Sequence, residues 1–237
     1  MLDFLIDLDT QIFLFFNSLH VPYFDYFMKA FSGKTIWIPM YASILYILFR
    51  RFGWKVALCY TIAIPLVILC ADQICASLIR PLVERLRPSN LDNPINSLVH
   101  IVNGYRGGRY GFPSCHATNT FALATFASLL FANRRLSIFL FGWAIITCYS
   151  RVYLGVHYPG DLLVGGIIGA TIAYIFYRVA KRVAKHFVAP LNTTPQQPNL
   201  QLSFRGTSIN YQLSDAIITI GALTILGIAI YSLFACL

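Results

Sequence analysis

Residues 150–178 carry the sequence SRVYLGVHYPGDLLVGGIIGATIAYIFYR. In it, a short polar motif is followed by an apolar stretch that is nearly long enough for a helix to span a membrane. The polar part holds Arg151, His157 and Asp161, although only 11% of the residues in the chain are charged. Charged side chains beside lipid are costly, so they are kept where they do chemistry. Arginine forks bind phosphate oxygens, and histidine acts as nucleophile or proton donor near neutral pH. The stretch therefore predicts a helical membrane protein with a phosphate-handling site.

Two earlier segments carry the same kinds of side chain. Arg80 and Arg87 lie about two helical turns apart, so both would point from one face if a helix continued until the proline that follows. The segment Pro-Ser-Cys-His then places Ser114, Cys115 and His116 directly before an apolar run. At a helix start these residues would offer N–H groups to an anion, with the helix dipole adding to the attraction. All three segments thus predict phosphate binding.

Composition decides the broad class of the protein. The chain has 237 residues, of which 57% are hydrophobic, and its mean hydropathy is +0.65, so an ordinary soluble domain is excluded. The net charge of +9 comes from lysines and arginines at the ends of apolar runs, a pattern typical of membrane orientation rather than nucleic-acid binding. The six cysteines lie mostly inside apolar segments and are interpreted as small buried hydrophobes, not as a disulfide or zinc framework.

The apolar runs predict an all-α, polytopic transmembrane bundle of about six spanning helices. The expected spans are residues 35–50, 55–80, 116–133, 136–153, 160–178 and 215–236, of which the first and third are short. Gly165, Gly166 and Gly169 give the fifth span a small-residue face for close helix packing. Before these spans, residues 3–32 alternate apolar and polar positions with no spanning run, which predicts an amphipathic helix lying at the interface.

The same reading divides the chain into three parts. These are an interfacial segment (1–33), a membrane core (34–186) that carries the phosphate-handling motifs, and a polar cytoplasmic loop followed by a last transmembrane helix (187–237). The polar loop, residues 189–212, carries no recognisable chemistry. The basic clusters that separate alternate spans are Arg50, Arg51, Lys55, Arg134, Arg135, Arg178, Lys181, Arg182 and Lys185. The positive-inside rule makes their side cytoplasmic, which puts the three motifs together at the outer face.

The three motifs resemble the type-2 phosphatidic-acid phosphatase superfamily, whose soluble cousins include vanadium haloperoxidases. The family pattern is Lys-x6-Arg-Pro, Pro-Ser-Gly-His and Ser-Arg-x5-His-x3-Asp, and the resemblance runs from Arg80 to Asp161. Two positions depart from it. Arg80 stands where the family has lysine and keeps the charge, whereas Cys115 stands where it has glycine and adds a side chain that narrows the phosphate cradle.

The resemblance implies a mechanism. His157 attacks phosphorus and forms a phosphohistidine, Asp161 accepts a hydrogen bond from the other ring nitrogen, and His116 protonates the leaving oxygen. The substrate-binding residues that it implies are Arg80, Arg87, Ser114, Cys115 and Arg151. No metal and no other cofactor is expected, because the guanidinium groups supply the positive charge that a phosphoryl transfer needs.

The function expected from motifs and composition is hydrolysis of a membrane-lipid phosphate at the outer face of a bacterial cytoplasmic membrane. Undecaprenyl diphosphate, lipid A phosphate and phosphatidylglycerophosphate are the candidate substrates. A lipid phosphotransferase using the same phosphohistidine and a non-catalytic lipid-binding protein on this fold remain alternatives. The expected partners are the phosphorylated lipid and the bilayer, not nucleic acid, and the residues indicate no particular oligomeric state. The loop at 105–110 is either solvated or a rim that contacts an anionic head group.

Overall fold

A computed structural model of the chain describes residues 1–187, 199–204 and 207–237, with side chains described for 1–187 and 213–237. The α-helices within these ranges are α1 (Leu2–Ser18), α2 (Pro22–Phe31), α3 (Ile38–Arg51), α4 (Trp54–Gln73), α5 (Arg80–Val83), α6 (Cys115–Phe131), α7 (Arg134–Tyr153), α8 (Pro159–Lys185) and α9 (Asp215–Cys236). A π-helical segment (Ile74–Ile79) joins α4 to α5, and short 3-10 helices lie at Thr35–Trp37, Asn96–Leu98 and Val102–Gly104.

The predicted all-α membrane bundle is confirmed. Within the described ranges, four helical stretches are long and apolar enough to cross a membrane: Trp54–Val83, Arg134–Tyr153, Pro159–Lys185 and Asp215–Cys236. Helix α3, with 14 residues, and helix α6, with 17, lie where the sequence predicts two short spans, and neither is among these four stretches. Large apolar side chains on the long helices, such as Leu163 and Ile175, face outward, as they do in a bundle surrounded by lipid.

The N-terminal segment is two helices rather than the single interfacial helix predicted over 3–32. Helix α1 ends at Ser18, and α2 begins at Pro22, whose ring fixes the φ angle that a first helical residue needs. Apolar side chains of α1 are exposed, with Phe4 at 68% and Phe15 at 62%. These exposed aromatic residues suit a helix that lies against lipid.

Close packing of α8 against α6 depends on glycine, as the sequence predicts. A Cβ atom at Gly169 would overlap the carbonyl oxygen of Thr118, and one at Gly165 would lie 2.6 Å from the carbonyl oxygen of Ser114. Small residues allow two helix backbones to approach this closely in a membrane bundle. The contact brings the start of α6, which carries His116, next to the first turn of α8.

One hydrophobic core joins the three predicted parts of the chain. Phe31 from α2, Phe126 from α6, Leu140 from α7 and Ile217 from α9 belong to the same buried cluster. The predicted polar loop, residues 189–212, lies partly outside the described residues. In its described remainder, β1 (Asn199–Phe204) pairs antiparallel with β2 (Thr207–Gln212), which the sequence pattern did not predict. The sequence of each strand alternates apolar and polar residues, the period typical of strands.

Candidate active site

The three motifs meet at one end of the bundle. Their chain segments are α5 with the extended segment that follows it, the start of α6, the end of α7 and the start of α8. Hydrogen bonds tie them together: Arg80 Nη2 donates to the carbonyl of Pro113 at 3.1 Å, and the N–H of Ser114 donates to the carbonyl of Asp161 at 3.0 Å. The convergence predicted from the sequence is therefore present in the fold.

Arg80 and Arg87 reach the site from different kinds of backbone, so the expectation of one continuous helix is wrong. Helix α5 ends at Val83, because Glu84 adopts a left-handed conformation with φ 50° and breaks the helical path. The chain then extends, and the N–H of Arg87 donates to the carbonyl of Arg109 at 3.1 Å. Arg80 thus projects from a helix and Arg87 from an extended segment that pairs with the loop before Pro113.

His157 is held from both ring nitrogens. Its Nε2 lies 2.8 Å from Nη1 of Arg87, and its Nδ1 lies 3.3 Å from Oδ2 of Asp161. Because arginine only donates, Nε2 must accept, which puts the ring proton on Nδ1 and directs it to the carboxylate. Burial, followed by the charges of the nearby arginines, lowers the pKa of His157 well below its usual range. The imidazole is therefore neutral near pH 7 and keeps a nucleophilic lone pair on Nε2.

Three guanidinium groups lie around this histidine, and the fold does not neutralise all of their positive charge. The Nε atoms of Arg80, Arg87 and Arg151 are buried, and within the described part of the chain none of them has a hydrogen-bond partner. Burial, together with the charges of Arg80 and Arg151, lowers the pKa of Arg87 to about 10. A buried donor without a partner is costly, so the arrangement is suited to an oxyanion that would accept from all three groups.

Some of the polar groups at the start of α6 form hydrogen bonds within the protein. Ser114 is the N-cap, and its hydroxyl accepts from the N–H of Ala117 at 3.5 Å. The sequence predicts that the N–H groups of Ser114, Cys115 and His116 bind phosphate. The N–H of Ser114, however, donates to the carbonyl of Asp161. Cys115 Sγ accepts from Arg80 Nη2 at 2.9 Å. The two residues that depart from the family pattern, Arg80 and Cys115, therefore contact each other.

Two cavities meet at His116. A cavity of about 260 Å³ is lined by Lys29, Ser32, Gly33, Lys34, Tyr105, His116, Arg151 and Leu154. A second cavity of about 510 Å³ lies between α3, α4, α6 and α7, and its lining is mostly apolar, with Ile44, Ile68 and Trp143 among its residues. His116 and Lys34 line both cavities. His116 thus lies between a cationic space and an apolar one.

Several residues near the site were missed or left open by sequence reasoning. Lys34 has the spacing of a membrane-orientation residue, and nothing in the sequence distinguishes it from one. Tyr105 belongs to the loop that was either solvated or a rim, and its hydroxyl accepts from Arg151 Nη2 at 3.1 Å. Arg85 lies inside the first motif, two positions before Arg87, and its Nη1 is 2.9 Å from Oδ1 of Asp161. Its position in the motif was the available signal.

Among the described residues no group of three or more His, Cys, Asp or Glu side chains is arranged to hold a metal ion.

Comparison with known proteins identifies the relatives of this chain. Residues 61–185 match the family model described as the PAP2 superfamily. The chain is 53% identical over 233 residues to the lipid A 4'-phosphatase of Bacteroides thetaiotaomicron, covering 98% of this chain and 99% of that protein. It is 34% identical over 178 residues to the lipid A 4'-phosphatase of Porphyromonas gingivalis, with 75% of each chain covered.

A solved structure agrees with the fold. The PAP2-type phosphatidylglycerolphosphate phosphatase from Bacillus subtilis superimposes with a TM-score of 0.56 at 19% identity, over 76% of this chain and 87% of that one. At this identity the likeness concerns the arrangement of helices alone.

Proposed function

Because this chain belongs to the PAP2 superfamily, we propose that it removes the 4'-phosphate of lipid A at the outer face of a bacterial cytoplasmic membrane. It is an integral-membrane lipid phosphatase. The choice of lipid A rests on the relative that is 53% identical along almost the entire chain, since identity at this level extends beyond the catalytic motifs to the loops that select a head group.

The observation that carries the proposal is that the Nε donors of Arg80, Arg87 and Arg151 are buried and have no hydrogen-bond partner in residues 1–187 and 213–237. A phosphoryl group offers several oxygens, and its transfer spreads negative charge over the three equatorial ones. Donors fixed in advance stabilise that charge without reorganising at the moment of reaction. Among the side chains that the structure describes, no carboxylate accepts from these three donors, so their charge is available to substrate.

The reaction follows from the geometry around His157. In the first step Nε2 of His157 attacks phosphorus, the bond from phosphorus to the ester oxygen breaks, and that oxygen takes a proton from His116. The hydrogen bond between Arg87 Nη1 and His157 Nε2, which are 2.8 Å apart, breaks as the phosphoryl group arrives. Asp161 accepts from Nδ1 and stabilises the positive charge of the phosphorylated imidazole. Water then attacks phosphorus, His116 takes its proton, and the bond from phosphorus to Nε2 breaks.

The two cavities support a lipid with a large anionic head group. Lys29, Lys34 and Arg151 line the smaller cavity, and no acidic residue is among its lining residues. This is more positive charge than one phosphoryl group held by three arginines requires, so the space suits further anionic groups of the substrate. The apolar cavity on the other side of His116 suits an acyl chain. An acylated sugar phosphate such as lipid A has both features.

Phosphate release from a panel of pure lipids in detergent tests this function. The panel contains lipid A, undecaprenyl diphosphate, phosphatidylglycerophosphate and phosphatidic acid, each supplied without an acceptor lipid. We expect lipid A to be hydrolysed fastest, with loss of the 4'-phosphate located by mass spectrometry. Most of the activity should survive excess EDTA, because arginines supply the positive charge. Vanadate should inhibit, since it adopts the trigonal-bipyramidal geometry of the transition state.

Other outcomes of the panel have distinct meanings. Phosphate transfer that requires a second lipid with a free hydroxyl would identify a phosphotransferase instead. Faster turnover of undecaprenyl diphosphate would reassign the substrate. Loss of activity in EDTA that Mg²⁺ restores would contradict the proposed mechanism.

The orientation of the site is a further part of the proposal. Arg50 and Arg51 lie in the last turn of α3, Arg134 begins α7, and Arg182 and Lys185 lie in the last turn of α8. These helix ends are opposite to the end that carries the motifs, so the positive-inside rule assigns the motifs to the outer face.

Cysteine labelling with a membrane-impermeant thiol reagent checks this orientation in spheroplasts. Leu98 lies in the loop before the second motif and is 67% exposed, and Phe187 follows α8 and is 51% exposed. Both substitutions, Leu98→Cys and Phe187→Cys, are made with Cys236→Ala, because Cys236 is an exposed native thiol. We expect the cysteine at 98 to be labelled and the one at 187 to be labelled only after permeabilisation. The reverse pattern would move the substrate to the cytoplasmic leaflet.

A further inference from the structure

Helix α1 turns three of its residues toward the protein interior. Asp9, Phe13 and Asn17 are spaced four apart, which places them on one face of the helix. Phe13 is 0% and Asn17 1% exposed, and the side chain of Asp9 is 14% exposed. The sequence pattern places Asp9 and Asn17 on the polar face of an interfacial helix. That expectation is wrong for these two residues, because Asn17 is buried and Asp9 is partly buried, and both face protein rather than water.

This face of α1 follows the segment that carries His157. At one end, Asn17 Nδ2 donates to the carbonyls of Val152 at 3.2 Å and Tyr153 at 3.0 Å. In the middle, the centre of the Phe13 ring lies 5.3 Å from the centre of the Tyr158 ring. At the other end, Oδ1 of Asp9 accepts from the N–H of Gly160 at 2.7 Å. The helix therefore contacts the connection between α7 and α8 before, beside and after the nucleophile.

Asp9 also reaches Asp161 through one arginine. Nη1 of Arg85 lies 2.8 Å from Oδ2 of Asp9 and 2.9 Å from Oδ1 of Asp161, and the Arg85 guanidinium lies 3.9 Å from the centre of the Tyr158 ring. The other oxygen of Asp161, Oδ2, accepts from His157 Nδ1 and from the N–H of Tyr158 at 3.1 Å. Each oxygen of Asp161 thus has its own donors, and the carboxylate has a single orientation toward the imidazole.

We propose that α1 is part of the active site, and that Asp9, acting through Arg85, is a positioning residue for the pair Asp161 and His157. The inference rests on the proposed role of His157 as nucleophile. It concerns a segment that lies before the family match at 61–185. Without the charge of Asp9, Arg85 loses one of the two carboxylates that fix it, and its partly exposed side chain is free to turn toward water. Asp161 can then rotate, and Nε2 of His157 loses its alignment with phosphorus.

The test compares Asp9→Asn with Asp7→Asn. The first change keeps the size of the side chain and an acceptor for Gly160, but it removes the charge that pairs with Arg85. Asp7 lies on the same helix and is exposed, so its variant is the matched control. With the lipid that the wild-type protein hydrolyses, we expect Asp9→Asn to lower kcat roughly ten- to hundredfold with little change in KM. Asp7→Asn should match the wild type, and Asp9→Glu should restore part of the lost kcat.

A double variant separates positioning from general destabilisation. Arg85→Gln should lower kcat as Asp9→Asn does, and the two changes together should be no worse than Arg85→Gln alone, because they break one chain of contacts. If Asp9→Asn does not fold by size exclusion and thermal melting, Arg85→Gln decides by the same split between kcat and KM. Wild-type kcat in the folded variants, or a rise in KM alone, would overturn the inference. A wild-type protein that hydrolyses no lipid phosphate would instead contradict the proposed function.

Discussion

Replacing His157 is expected to abolish phosphate release. The imidazole provides the nucleophile of the first step, without which no phosphoenzyme forms, so the loss in kcat should be roughly 10⁴-fold or more. The motifs alone suggest that His157 lies at the edge of the membrane, where a substitution costs little stability. In the structure His157 is 1% exposed, so a substitution there affects buried groups. Alanine at this position would remove one hydrogen-bond partner from buried groups of Arg87 and Asp161, which keep their contacts with Val156 and Tyr158, at a total cost of about 1–3 kcal/mol. The decisive variant is therefore His157→Gln, which keeps polar atoms in the pocket but has no imidazole.

The measurement is phosphate release by purified protein that elutes and melts like the wild type. His186→Ala serves as the matched control, since His186 is exposed beyond the other end of α8 and should leave activity unchanged. Rapid quenching of the wild type with radiolabelled substrate should trap an acid-labile, base-stable phosphoprotein, and His157→Gln should give none. Near-wild-type turnover by folded His157→Gln would rule out the phosphohistidine mechanism.

Features of the fold that depend on local sequence were predictable. Pro159 fits the first turn of a helix and Ser114 fits an N-cap, and α8 and α6 begin accordingly. Gly165 and Gly169 predicted that another helix would approach α8 closely, because small residues are what such contacts require, and that helix is α6. These rules rely on neighbouring residues, so one sequence suffices to apply them.

Contacts between distant segments were not predictable in the same way. In a bundle surrounded by lipid, apolar residues cover both the interior and the outer surface, so periodicity does not reveal which face of α1 is buried. An acidic residue on such a helix suggests contact with water, yet Asp9 pairs with Arg85. The end of the helix at Glu84 was missed because glutamate is rarely found in the left-handed conformation. The pairing of the following segment with the loop at 109–111 holds it there.

Removing His116 is expected to slow the reaction by an amount that depends on the leaving group. With a lipid whose leaving oxygen becomes a sugar hydroxyl, His116→Ala should lower kcat about 10²- to 10⁴-fold, the usual contribution of a general acid. With an activated aryl ester such as a nitrophenyl phosphate, the leaving oxygen departs without a proton, so the loss should be much smaller. The position of His116 supports this role, because it lines both cavities that would hold the leaving group, the cationic one for its anionic groups and the apolar one for its acyl chain.

The comparison of two substrates makes this prediction specific to proton donation. His157→Gln removes the nucleophile and should therefore reduce turnover of the sugar phosphate and the aryl phosphate equally, which makes it the control for a general loss of the site. His116→Ala should reduce turnover of the sugar phosphate far more than that of the aryl phosphate, and His116→Gln should behave like alanine because an amide does not donate a proton to a departing alkoxide. Equal losses on both substrates would mean that His116 binds the phosphoryl group or orients another residue. The general acid would then have to be sought among the other proton-bearing groups that line the smaller cavity, which include Lys29, Lys34 and Tyr105.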